Sequence, residues 1–311
     1  MTRLAVAAAL AVSLAFAASP PKPKPAAQRQ RTIRVPVLEE NEPLVAAKMK
    51  ASLAGGAAAR VVRVRSSTDD LLLLVVMDVA GDLARIDAAR SALREAVKAL
   101  PAKTWVGLMR AQDGLKVIKD PSPDREAFAR AVAEIQLTGK AALLDTIEEA
   151  VRLGDSIAAK TPVRVAILYI TDSDVRNYRE DFTNPVINSS DSRDLSRRFP
   201  EGLVRERMSK ITEKLTGLQT PVFLVHLAFS SERLNEAYQS GLLQIATTTG
   251  GSAAFCRGLA DVAGAVTRTV AAAQNHQQVF VQLPPEAGSS VSIVLDAGGR
   301  PLSYRSRFSL R

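Results

Sequence analysis

The chain has few of the residues that most readily betray chemistry. Its 311 residues hold one cysteine (Cys256), two histidines (His226 and His276) and one tryptophan, and aromatics make up 5%. A single cysteine excludes a disulfide framework and a thiolate zinc site, and two distant histidines exclude a His-rich metal centre. No internal apolar run is long enough to span a bilayer, and a mean hydropathy of +0.03 speaks against a polytopic membrane protein. No Walker A loop, G-x-S-x-G elbow or G-x-G-x-x-G fingerprint occurs, and no Ser/His or Cys/His pair has supporting context. What is present is apolar. At 47% hydrophobic residues the chain can fill a sizeable core in one large or two small domains.

Acidic residues are missing from the N-terminal region. Residues 1–34 contain Arg3, Lys22, Lys24, Arg29, Arg31 and Arg34 and no Asp or Glu. Within them, Met1-Thr2-Arg3 precedes an apolar run from Leu4 to Phe16, and Ala15-Phe16-Ala17-Ala18 supplies an A-x-A exit. A positive start, an apolar stretch and small residues at the exit predict a secretory signal peptide over 1–18. Residues 19–31 then read as a Pro-rich basic linker. The formal charge of +9 shrinks to 35 basic against 32 acidic residues once 1–34 is set aside, so it does not argue for nucleic-acid binding. The expectation is an exported protein, periplasmic, cell-surface or secreted, with no integral membrane segment after signal removal.

From residue 68 onward, apolar runs alternate with amphipathic stretches. Leu71–Met77 is a continuous apolar run, as a central parallel strand covered on both faces requires, Val163–Ile170 and Val222–Leu227 read as further buried strands, and Trp105–Met109 is another strand. Leu115–Ile118 reads as a hairpin partner of Trp105–Met109 across Gln112-Asp113-Gly114. Helical spacing covers 83–100, 124–134, 142–159, 201–217, 231–248 and 258–274, with a short strand at Ala253–Cys256. This order predicts an α/β fold, doubly wound on a mostly parallel sheet, over 68–275. Residues 32–67 and 276–311 differ. Alternation and the Gly55-Gly56 and Gly298-Gly299 turns predict short antiparallel strands in both flanks, and their like composition suggests that the two meet in one small β module beside the α/β domain.

Ligands in such sheets bind beyond the C-terminal strand ends. There the chain reads Met77-Asp78-Val79-Ala80-Gly81-Asp82, then Thr138-Gly139-Lys140-Ala141-Ala142, then Ile170-Thr171-Asp172-Ser173-Asp174. A later segment is Leu243-Gln244-Ile245-Ala246-Thr247-Thr248-Thr249-Gly250-Gly251. In order and spacing these resemble the von Willebrand factor A family: D-x-S-x-S, Gly-Gly-Thr, T-D-G and L-x-x-I-A-x-x-T-G-G. The flanks and signal are similar to those of exported bacterial members. The resemblance implies a Rossmann-like fold and a metal-ion-dependent adhesion site in these loops, where hydroxyl and carboxylate oxygens hold Mg²⁺ or a similar ion. Carried over, Asp78 and Asp172 match the two carboxylates, while Ala80, Asp82 and Ala141 replace the three hydroxyl ligands. The site is therefore degenerate, and two readings follow. In one, Asp82 joins Asp78 and Asp172 as an oxygen ligand, with Asp174 or Thr138 nearby, and the acidic pocket holds Mg²⁺ or, with its looser geometry, Ca²⁺. In the other, Asp78 accepts backbone N–H groups and Asp82 caps the helix that follows. Mg²⁺ needs near-ideal geometry, so the second is preferred and no cofactor is assigned.

Residues 173–200 form a long polar stretch in which five arginines balance five acids. Loops of that length usually carry function, and the mix of aromatics and arginines suits a contact surface. Tyr178, Arg179, Phe182, Asn184 and Arg193 are the expected contacts with a protein partner of unknown identity. His226 and Cys256 read as core residues. Non-enzymatic protein binding is the expected function. The alternatives are an assembly subunit whose domain only packs, and a Mg²⁺-dependent phosphotransfer enzyme with Asp78 as nucleophile. The last needs an acid two residues on, where the chain has Ala80.

Overall fold

A computed structural model of the chain describes residues 31–38, 42–136, 138–178 and 201–310. The expected signal peptide and nearly all of the linker lie outside these residues. So do Arg179, Phe182, Asn184 and Arg193. No helix among the described residues is long and apolar enough to cross a membrane.

Two sheets make up the architecture. The first has six strands: β4 (Leu71–Asp78), β5 (Thr104–Arg110), β6 (Lys116–Ser122), β7 (Arg164–Thr171), β8 (Val222–His226) and β9 (Ala253–Phe255). Their order is β6-β5-β4-β7-β8-β9, parallel throughout except for the β5–β6 hairpin. That hairpin turns at Asp113 and Gly114, with φ of 53° and 98°, the left-handed geometry a tight turn between twisted strands demands. Side chains alternate across β4, which explains its unbroken apolar run. Leu71, Leu73, Val75 and Met77 meet α1 (Leu83–Lys98), α2 (Arg125–Glu134) and α6 (Leu259–Asn275), while Leu74 and Val76 meet α3 (Leu143–Lys160), α4 (Glu201–Leu215) and α5 (Arg233–Thr249).

The second sheet is antiparallel and joins both flanks. It contains β1 (Thr32–Leu38), β2 (Lys50–Leu53), β3 (Ala58–Arg65), β10 (Gln277–Gln282), β11 (Ser290–Asp296), β12 (Ser303–Tyr304) and β13 (Arg307–Ser309), in the order β12-β1-β10-β3-β2-β11-β13. N-terminal β1 lies between C-terminal β12 and β10, so neither flank forms this sheet alone. Its inner face has its own core, including Ile33, Val35, Val37, Val279, Val281, Ile293 and Phe308.

Guanidinium groups join the two sheets. Arg34 of β1 donates to Asp155 of α3 at 3.0 Å, and Arg65 of β3 donates to the Val163 carbonyl at 2.9 Å. Arg164, fully buried at the start of β7, donates to the carbonyls of Ser67 (2.8 Å), Asp69 (2.9 Å), Gln274 (2.8 Å) and His276 (2.6 Å). It thereby ties both chain crossings between the sheets. Arg305 reaches the Thr216 and Leu218 carbonyls just beyond α4. Burial lowers Arg164 and Arg305 to about 10 each. Carbonyls at element ends, otherwise unsatisfied, are what make such buried cations tolerable.

Candidate site at the strand ends

β4 and β7 are neighbours in parallel register, Asp78 opposite Thr171, so both strands deliver their terminal polar residues to one edge. Asp78 is fully buried there. Its Oδ1 accepts from the Ala142 N–H at 2.9 Å, and its Oδ2 accepts from the Thr171 hydroxyl at 2.9 Å. One carboxylate thus pins the loop before α3 to the end of β7. Asp172 does the same for the loop after β4. It accepts from the Ala80 N–H at 3.0 Å and the Gly81 N–H at 2.6 Å. A Cβ on Gly81 would stand 2.8 Å from Asp172 Oδ2, so this approach depends on glycine. Asp82 turns outward and caps α1, accepting from the Ala84 N–H at 2.9 Å, with Arg85 3.6 Å away.

A chain of hydroxyls runs inward from Asp78. Thr171 Oγ1 lies 2.7 Å from Ser173 Oγ, which lies 2.8 Å from the Tyr238 hydroxyl. With Thr171 donating to Asp78, Ser173 donates to Thr171 and Tyr238 to Ser173, so every proton points toward the carboxylate. Tyr178 packs its ring 6.0 Å from that of Tyr238, and its hydroxyl accepts from the Leu144 N–H at 3.1 Å. His226 closes the network, with Nε2 2.8 Å from the Ser173 carbonyl.

Tyr178 therefore corrects the sequence-based expectation. Expected on a contact surface, it is fully buried, and it anchors the start of the 173–200 stretch rather than facing a partner. The cause is that the chain folds back over α5 immediately after Asp172, in a 3₁₀ turn at Val175–Tyr178. The other four expected contacts lie outside the described residues.

Electrostatics follow from burial. Desolvation raises Asp78 to about 6, against the opposing hydrogen bonds from Ala142 and Thr171. Desolvation also raises Asp172, although the Ala80 and Gly81 N–H groups oppose it. His226 is lowered by burial, and Tyr238 is raised by it. Cys256 is buried at the end of β9 and likewise raised by desolvation.

These residues fit a hard cation poorly. Ala80 and Ala141 offer no side-chain oxygen, Asp82 caps a helix, and both oxygens of Asp78 are taken by loop and strand donors. No group of three or more His, Cys, Asp or Glu suited to a metal ion occurs among the described residues.

Several contributors had no sequence-level assignment: Ser173, Tyr238, Gln112, Asn235 and Gln239. Asn235 accepts from the Val175 N–H at 3.1 Å, and Gln112 donates to the Val79 carbonyl at 2.7 Å. The available signal was the helical spacing of Asn235, Tyr238 and Gln239, three polar residues on the buried face of α5. Thr249-Gly250-Gly251 has a packing role. Thr249 Oγ1 accepts from Val222 N–H at 3.0 Å, Gly250 ends α5 at φ 87°, and a Cβ on Gly251 would stand 2.0 Å from the Val222 carbonyl.

No family model matches the sequence, and no curated protein matches it. Among solved structures, the chain is similar to a von Willebrand factor type A protein from Catenulispora acidiphila, at 11% identity over 92% of this chain and 74% of that one, with a TM-score of 0.45. It is similar to the PilB minor pilin of Streptococcus sanguinis at 14% identity, over 67% of this chain and 62% of that one, with a TM-score of 0.47. It also spans half the length of proximal thread matrix protein 1 from the mussel byssus, at 11% identity over 68% of this chain and a TM-score of 0.41.

Proposed function

We propose that the chain is an exported von Willebrand factor A-like module that binds a protein partner through its C-terminal strand-end loops, without catalysis and without a bound metal. One observation carries the reading. Asp78 and Asp172 spend their oxygens on the N–H groups of Ala80, Gly81 and Ala142, fixing the loops of three elements into one platform. The 173–200 stretch departs from that platform, rooted by buried Tyr178. Its arginines, acids and aromatics supply the contact chemistry, while the carboxylates supply rigidity that a family member obtains from an ion. Preorganised loops lose less entropy on binding. The same geometry speaks against phosphotransfer, because a nucleophile must be reachable and Asp78 is sealed under the loops.

The test is a crosslinking pull-down from cells exporting the protein, comparing the intact chain with a deletion of 180–198, each with and without EDTA. Capture of a partner that the deletion loses and EDTA leaves unchanged supports the proposal. Capture abolished by EDTA contradicts its metal-free part, and self-association alone replaces it with an assembly subunit.

A further inference from the structure

The charge of the chain is unevenly placed. The α/β region, 68–275, has 26 basic and 27 acidic residues, whereas the two flanks, 32–67 and 276–311, have ten basic and five acidic. The flank excess gathers on the outer face of the antiparallel sheet. Register places Arg34, Phe280 and Arg63 side by side on β1, β10 and β3, and the next row outward is Thr32, Gln282 and Arg60. The inner faces of the same strands carry Ile33, Val35, Val61, Val64, Val279 and Val281 into the core, so alternation sends the arginines outward.

Arg34 is held at the seam by Asp155, and Arg65 by the Val163 carbonyl. Beyond the seam the cations are uncommitted. Arg31, Arg60 and Arg63 are exposed, and none has an acidic partner among the described residues. The Arg63 guanidinium lies 5.7 Å from the centre of the Phe280 ring and that of Arg65 lies 4.8 Å from it, so the half-buried ring is flanked by positive charge. Apolar tips stand on the same face. Val62 is the extra residue of a bulge in β3 and is 44% exposed, and Val294 of β11 is 46% exposed. The chain enters β1 at the end of the sheet where Arg31 and Arg60 lie.

From this we infer that the outer face of the antiparallel sheet docks on an anionic phospholipid surface. Exposed Arg60 and Arg63, spaced along β3, and Arg31 at the start of β1 spread positive charge over one sheet face rather than lining a cleft, which suits a flat array of headgroup phosphates. Each arginine within reach of that array can take a phosphate bidentately. The protruding valines contribute the modest apolar insertion that strengthens such contacts. A soluble polyphosphate offers the same charge but has no apolar part to meet Val62 and Val294.

The test is vesicle co-sedimentation of the full chain, using phosphatidylcholine with and without ~30% phosphatidylglycerol. The apolar N-terminal run contributes equally to every variant, so the difference between the two lipids reads the charge. Each arginine near the surface is worth about fivefold in partitioning, so Arg60→Gln loses about fivefold and R60T/R63T roughly 25-fold on anionic vesicles only. R60K/R63K retains binding, and rising salt weakens the intact chain toward R60T/R63T. Anionic-vesicle binding unchanged in both Arg60→Gln and R60T/R63T would overturn the inference. So would soluble polyphosphate bound as tightly as vesicles at equal phosphate and lost in R60T/R63T, because the face would then read a free polymer.

Discussion

The two sheets solve the same problem with opposite resources. The parallel sheet is covered by helices on both faces, its central strand β4 is an unbroken apolar run up to Asp78, and its region is nearly neutral. The antiparallel sheet buries one face only and leaves the other to arginines, and two flanks at opposite ends of the sequence must meet to build it. Burial on both faces leaves the parallel sheet nothing to display except its strand ends, so its polar chemistry concentrates at Asp78 and Asp172. The half-covered sheet displays the part of its outer face that lies beyond the seam, around Arg60 and Arg63. Between them lies a seam of guanidinium groups on carbonyls, where cations are spent on structure rather than display.

The comparison breaks most sharply at Arg164. Replacing it with Met leaves the carbonyls of Ser67, Asp69, Gln274 and His276 without their buried donor. Arg164→Met should cost about 4 kcal/mol and split a single urea transition into two, one for each sheet. Next in size is the pH response of the parallel sheet. Burial raises Asp78 from 3.8 to about 6, so between those values the folded state keeps a proton that the unfolded chain releases. Its contribution to stability is fully present below pH ~4 and falls as pH rises through ~6, by about 3 kcal/mol in all. Urea titrations of Asp78→Asn should lack that part of the decline. Asp172, shifted in the same direction, remains in both proteins. Tyr238→Phe removes the innermost donor of the hydroxyl chain and should lower stability by about 1.5 kcal/mol. Arg60→Gln, on the open part of the other sheet, should change stability by less than ~0.5 kcal/mol, since the residue is exposed.

Much of the parallel sheet was legible in the sequence, because Leu71–Met77 and Val163–Ile170 can be stable only where both faces are covered. Helix bounds came close wherever a cap or a proline marked them, as at Asp82 and Pro101. The antiparallel sheet was legible as strands, and the shared β-like composition of the two flanks suggested that they meet in one module, but nothing in β1 names β10 as its neighbour across the length of the chain. At the site, the carboxylates stood out because charged residues seldom end buried strands without a purpose. Tyr178 was misread because an aromatic in a polar stretch looks like a contact until the backbone turns it inward. The hydroxyl chain was invisible, as Ser173 and Tyr238 are distant in sequence and ordinary in type.

The central claim is that backbone N–H groups and the Thr171 hydroxyl, not an ion, hold the strand-end carboxylates. Its most direct test is titration of the intact chain with Mg²⁺, Mn²⁺ and Ca²⁺ by calorimetry, with the Ala80, Gly81 and Ala142 amide resonances followed by NMR. The account predicts no saturable heat up to about 1 mM and no movement of those amides. Saturable binding below about 1 mM that shifts the three amides and vanishes in Asp78→Ala would contradict it.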